Sequence, residues 1–202
     1  MEDDDLTNQR LLKDIEFIVE LDKMKSVLRE TSLIDNSRRE NDAEHSWHIS
    51  VMAMLLAEYA DDKIDICKVI KMLLVHDLVE IYAGDTFCYD VEANKDKEER
   101  ELKAADRIFG MLEEDKGKEL RSLWEEFEEM KTKEAIFAAS MDRLQPFFNN
   151  YYSGGGTWKK FRVSKGEIYA RIAPLKKASQ ELWEFACNMI EDAYKKGYIS
   201  TN

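Results

Sequence analysis

Glycine and proline are scarce in this chain, with 8 and 2 among 202 residues. Few residues are therefore available for tight turns and helix breaks, and the Leu, Lys, Glu, Met and Ala that dominate instead favour helix throughout. An all-α chain with little or no sheet is expected. No apolar run approaches the length of a membrane helix, about 18 residues. The first residues, MEDDDLTNQR, are acidic where a secretory leader would be basic. The expectation is a cytoplasmic protein with no membrane partner. The three cysteines, Cys67, Cys88 and Cys187, are odd in number and far apart, and none forms a Cys-x-x-Cys pair. That argues against a disulfide framework or a thiolate zinc site, so they read as buried, reduced spectators. An excess of basic charge is also lacking: 30 Lys and Arg stand against 42 Asp and Glu, a formal net charge of −12. A nucleic-acid surface needs a basic stripe to displace counterions, so no nucleic-acid polymer is expected as a partner. A small anion remains possible, because a metal and a few arginines in one pocket set the local field.

What is present is a string of amphipathic segments, with enough apolar content (44%) for one domain over residues 1–202. Leu11, Ile15, Ile18, Met24 and Leu28 recur at helical spacing and predict a first helix over 7–29, which 30–42 interrupts. Asn41 or Asp42 suits the N-cap of a helix over 43–60, whose Trp47, Val51, Met54 and Leu55 form an inward stripe. A helix over 65–82 buries Ile66, Val69, Ile70, Leu73 and Leu74, and Gly84 stops it in the left-handed conformation. Charged helices follow at 95–114 and 117–131. Residues 133–150 are apolar on most sides but carry Asp142 near the middle. A mobile loop at Gly154-Gly155-Gly156 and a last helix over 175–196 complete an irregular bundle of about five to seven helices.

His76 and Asp77 sit side by side after Val-Ile-Lys-Met-Leu-Leu-Val, where an unpaired carboxylate would be expensive to bury. A His–Asp hydrogen bond in the core would satisfy the pair, and so would a cation. The chain has only three histidines; a second, His45, opens another apolar helix, and Asp142 interrupts a third. Two imidazoles and two carboxylates from three helices make a plausible mixed nitrogen–oxygen site for one divalent cation, with positions open for water or substrate. The set does not choose among manganese, cobalt, iron, nickel, zinc and magnesium. Glu80, four residues after His76 and three after Asp77, shares their helix face. It could orient or deprotonate water, or be a solvated glutamate near a helix end. His48, one turn after His45, faces the pocket or serves packing. Arg38 and Arg39 precede His45 in a non-helical stretch; a guanidinium fork suits phosphoryl oxygens, although surface arginines are common.

The order His45, His76-Asp77, Asp142, carried by RRENDAEHSWH (38–48), HDLVEIYAGD (76–85) and AASMDRL (138–144), resembles the HD-domain superfamily of metal-dependent phosphohydrolases. Within it, these stretches are similar to the small single-domain branch that includes bacterial 5′-deoxynucleotidases. The resemblance implies an all-helical fold with a metal-site core over about 30–150 and a C-terminal helix over about 175–196 packed on it. It implies one divalent metal held by His45, His76, Asp77 and Asp142, and commonly a homodimer. It further implies Asp77 and Glu80 as catalytic residues, and Arg38, Asp85 and His48 toward the substrate, although an Asp in a turn would look the same as Asp85. A binuclear site is disfavoured, since only His48 remains as a further histidine. The implied activity is a phosphomonoesterase, 5′-nucleotidase-like, acting on a nucleoside monophosphate or similar small phosphorylated metabolite by attack of metal-activated water. The rivals are a hydrolase of another phosphoanhydride or signalling nucleotide, and a non-catalytic module that binds nucleotide and metal. One departure concerns the sugar: the deoxynucleotidases carry an Arg-Trp pair upstream of the first ligand, and this chain reads Arg29-Glu30-Thr31-Ser32 there, without tryptophan.

Overall fold

A computed structural model describes residues 2–200 of the chain, with side chains from residue 8 onward. The first helix, α1 (Glu2–Glu20), tightens into a 3-10 segment over Leu21–Ser26, and the chain then turns extended. Strands β1 (Leu28–Ser32) and β2 (Arg39–Asn41) pair antiparallel, with Leu28 opposite Asn41, Ser32 opposite Arg39 and an irregularity between. The helix expected over 7–29 therefore ends early. The hairpin ends where α2 (Asp42–Leu56) begins, and Asn41 caps that helix: its side chain accepts from the Glu44 N–H while Glu44 reaches back to the Asn41 N–H. Such a cap is worth about 1 kcal/mol. It fixes the turn from which His45 projects.

The inward stripe expected on α2 lies on the opposite face. Trp47, Val51, Met54 and Leu55 are exposed, Trp47 by 65%, whereas His45, Ile49, Met52 and Ala53 are buried. The helix is apolar on both sides, so its periodicity could not tell which side meets the core; the face that carries His45 packs against α3 (Ile66–Val75) and α7 (Lys133–Tyr152). On α3, Val69 and Leu73 are buried as expected, Ile66 and Ile70 half-buried, and Leu74 is exposed. After α3 the backbone bonds shorten to three residues, as in Leu78 N–H to Val75 O and Glu80 N–H to Asp77 O, before the single turn of α4 (Glu80–Ala83). A tightened stretch inside a helical run often marks a functional segment. Gly84 ends it with φ 76° and ψ 148°, a conformation open to glycine but distinct from the left-handed helical one expected.

The charged helices are α5 (Lys97–Phe109) and α6 (Glu114–Glu129). The glycine run at 154–156 opens short helices α8 (Gly156–Lys160), α9 (Lys165–Arg171) and α10 (Leu175–Ala178), and α11 (Gln180–Lys195) closes the chain, so the helical segments among the described residues outnumber the five to seven expected. The bundle remains all-α apart from the hairpin. Ile49, Leu73, Phe137, Met141, Leu144 and Ile190 form the main core around α7, and a smaller core joins Val79, Ile108, Phe109 and Trp124. No helix among the described residues is long and apolar enough to cross a membrane. The cysteines are free, but Cys67 and Cys88 are exposed and Cys187 half-buried, correcting the expectation of burial. Cys67 lies on the outward face of α3, and Cys88 in the loop that lines the cavities described next.

Candidate metal centre

His45 and His76 approach each other from α2 and the end of α3, with ring centroids 5.5 Å apart. Both rings are buried. His45 Nδ1 donates to Gln145 Oε1 (3.0 Å), and His76 Nδ1 donates to the Leu73 carbonyl (2.9 Å). A carbonyl acceptor on Nδ1 demands the proton there, which turns the Nε2 lone pair of each ring toward the centre. His45 Nε2 lies 3.0 Å from Asp142 Oδ1 and 3.9 Å from Asp77 Oδ2. His76 Nε2 lies 3.0 Å from Asp77 Oδ1 and 3.7 Å from Asp142 Oδ1. Despite that 3.0 Å approach, His76 Nε2 has no aligned hydrogen bond.

The donor set fits a cation. Buried ring nitrogens and carboxylate oxygens face each other within hydrogen-bond distance, and the carboxylates bear on the charge of the rings beside them. Burial opposes charge on His76, yet Asp77 and Asp142 beside it push its pKa up to about 10. His45, more deeply buried and near Arg29, is pushed down to about 4. A divalent ion among these atoms supplies the positive charge that the site otherwise draws as a proton. Two imidazoles with two carboxylates suit a borderline or hard ion.

Glu80 is buried beside the cluster, one of its carboxylate oxygens close to those of Asp42 and Asp77. Burial first, then Asp77, Asp42 and Asp85, raise its pKa well above the usual glutamate range. Asp85 is half-buried in the same cavity. Two other expectations are corrected. Arg38 is half-exposed and bound fork-to-fork by Glu44 (2.8 and 2.5 Å), the residue that caps α2, so it does not line the cavity. His48 is also outside it, half-buried with its Nδ1 3.2 Å from Gln145 Nε2.

Residues that sequence reasoning did not assign complete the surroundings. Arg29, brought in by β1, donates to Asp77 Oδ2 (2.9 Å) and Asp42 Oδ1 (3.4 Å). Arg143 and Arg171 line the cavity as well. Gln145 is fully buried; its amide donates to Glu40 Oε1 (2.7 Å), which fixes the amide so that its oxygen faces His45. A glutamine one turn beyond Asp142 in an apolar helix was a legible signal for that role. Arg29 stood in the sequence only at the place of the family's Arg-Trp pair, with no role assigned, and Arg171 had no signal, being remote in sequence from His45, His76, Asp77 and Asp142. Gln145→Leu is expected to weaken metal binding about 10- to 100-fold, because His45 loses the acceptor that holds its tautomer. Competition with a chelator measures it; wild-type affinity would show that Gln145 does not orient the ligand.

Residues 21–183 match the HD domain family. The chain belongs to the HD-domain family. It is 32% identical over 132 residues to human 5′-deoxynucleotidase HDDC2, covering 65% of this chain and 63% of the relative. The chain thus matches somewhat under two thirds of that relative's length. The Dictyostelium discoideum protein of the same name is 31% identical over 144 residues, covering 68% of this chain and 75% of that one. Among solved structures, a predicted metal-dependent phosphohydrolase from Magnetospirillum magnetotacticum MS-1 superposes with a TM-score of 0.91 at 48% identity, over 95% of this chain and 96% of the other. The PH0347 protein from Pyrococcus horikoshii OT3 shares the fold at 23% identity, with a TM-score of 0.64 over 90% of this chain and 99% of its own.

Proposed function

We propose that this HD-domain chain is a metal-dependent phosphohydrolase that removes the phosphate from a nucleoside monophosphate or a similar small phosphomonoester. The observation that carries the reading is the convergence of two imidazole Nε2 lone pairs and two carboxylates, with Glu80 beside them and arginines in the same cavity. The naming of the human and Dictyostelium relatives as 5′-deoxynucleotidases supports the substrate class. His45, His76, Asp77 and Asp142 would hold one divalent ion, drawn from manganese, cobalt, iron, nickel, zinc and magnesium. When bound, that ion supplies Lewis acidity, polarising a phosphoryl oxygen and acidifying water. Glu80, buried beside Asp42 and Asp77, accepts the proton of the attacking water. Arg29 holds Asp77 in orientation through the 2.9 Å contact. Asp85 faces the substrate from the turn after α4.

The chain acts as one domain, in the cytoplasm, and as a homodimer. The exposed Leu11, Ile15 and Ile18 of α1 and Trp47, Met54 and Leu55 of α2 support self-association, since monomers rarely leave so many large apolar side chains open. The test is phosphate release from a panel of phosphorylated metabolites with each metal in turn. Release from a nucleoside monophosphate, with no duplex DNA binding at physiological salt, is the expected result. Failure on every nucleotide and sugar phosphate with all six metals would leave a non-catalytic nucleotide-binding module.

A further inference from the structure

Two adjoining cavities share a wall. One contains the metal cluster; the other is lined by Phe87, Tyr89, Phe147 and Trp158, and both include Arg29, Arg143 and Arg171. The metal cavity is strongly acidic, with Asp77, Glu80, Asp85, Glu128 and Asp142 on its lining. A phosphate dianion would be repelled there unless cations outnumber those engaged with the protein. Arg29 is engaged by Asp77 and Asp42, and Lys97 by Glu101 at 3.2 Å. Arg143 is different. Its Nη1 meets only Met130 Sδ (3.0 Å) and the Ala139 carbonyl (3.4 Å), and no carboxylate pairs with it among the described residues. Arg171 lines the same two cavities beside it. Arg171 has a single long contact, Nη2 to Asp142 Oδ2 at 3.5 Å.

Two neighbouring guanidinium groups in a half-buried wall, one without an acid and one barely touching it, repel each other until an anion lies between them. Their forks match phosphoryl oxygens, and the contact of Arg171 with Asp142 places that anion next to the metal ligands. We propose that Arg143 and Arg171 form the subsite for the substrate's phosphoryl group, the role the sequence assigned to Arg38, and that the ester's organic part extends into the aromatic cavity. The proposal rests on the phosphohydrolase reading for its substrate, but the site can be tested without turnover.

Binding of inorganic phosphate to the metal-loaded full-length chain is measured by calorimetry, with metal content determined alongside. Arg143→Leu and Arg171→Leu should each weaken phosphate binding about 10- to 100-fold, the range for losing a charge-assisted hydrogen-bonding group, with metal retained. Arg143→Lys should recover part of the loss, because it restores charge but not the fork. Arg38→Leu should leave the affinity unchanged. If Arg143→Leu fails to fold, Arg171→Leu, at the end of a short helix with a side chain 34% exposed, carries the test. Wild-type phosphate affinity in the folded, metal-loaded arginine variants overturns the subsite. Arginine-dependent phosphate binding in a protein that hydrolyses no phosphoester leaves the subsite standing and removes the phosphohydrolase reading instead.

Discussion

Asp77→Ala is expected to purify without stoichiometric metal and to unfold at lower temperature or denaturant concentration than the parent. Asp77 meets both histidines and a buried arginine: Oδ1 lies 3.0 Å from His76 Nε2, and Oδ2 lies 3.9 Å from His45 Nε2 and 2.9 Å from Arg29 Nη1. Alanine removes a donor from the cluster. It also leaves Arg29, whose side chain is only 11% exposed, without its nearest partner. Breaking a buried pair on one side costs about 3–5 kcal/mol, and the stabilisation that bound metal gives the folded state goes with it. Asp77→Asn separates the two effects: it keeps volume and a hydrogen-bond acceptor for Arg29 but lacks the charge, so metal should be lost with a smaller drop in stability. Elemental analysis and urea unfolding are the measurements. Stoichiometric metal at the same site in Asp77→Ala would remove Asp77 from the ligand set.

Glu80→Gln is expected to keep the metal and lose turnover, with kcat falling by about 10²–10⁴, the range for a positioned general base. Glu80 is buried and close to Asp42 and Asp77, and it makes none of the short approaches to His45 or His76 that mark the proposed ligands. Glutamine keeps its shape and cannot accept a proton from water. KM should move much less, because the phosphate would still meet the cation and the arginine wall, while only the transition state lacks its acceptor. Paired metal analysis and steady-state kinetics decide it. Turnover near the parent value would exclude the role, and loss of metal would make Glu80 a ligand.

The contrast between these two carboxylates, three residues apart, comes from the tightened backbone after α3. An undistorted helix would put Glu80 above Asp77 on one face, as its spacing suggested. The shortened hydrogen bonds from Leu78 to Tyr82 bring Glu80 into the same buried pocket, near Asp42 at the start of α2.

The sequence by itself determined the helical class and singled out the buried His and Asp side chains that the fold brings together. Their signal was energetic: a His-Asp pair and a lone Asp inside apolar helices must be compensated, and a chain with three histidines leaves few ways to do so. It also narrowed the cap of α2 to Asn41 or Asp42, between which the folded chain takes Asn41. Which face of α2 meets the core was not legible, because that helix is apolar on both sides and only packing against α3 and α7 breaks the tie. The choice of arginine was likewise left to tertiary structure. Arg38 is near His45 in sequence but is bound by Glu44 at the surface, while Arg29, Arg143 and Arg171 reach the cavity from β1, α7 and α9. Ligand types are fixed by local burial cost, which a chain displays in its own pattern. The charges that surround them are assembled across distant segments, and only the packed fold brings those together.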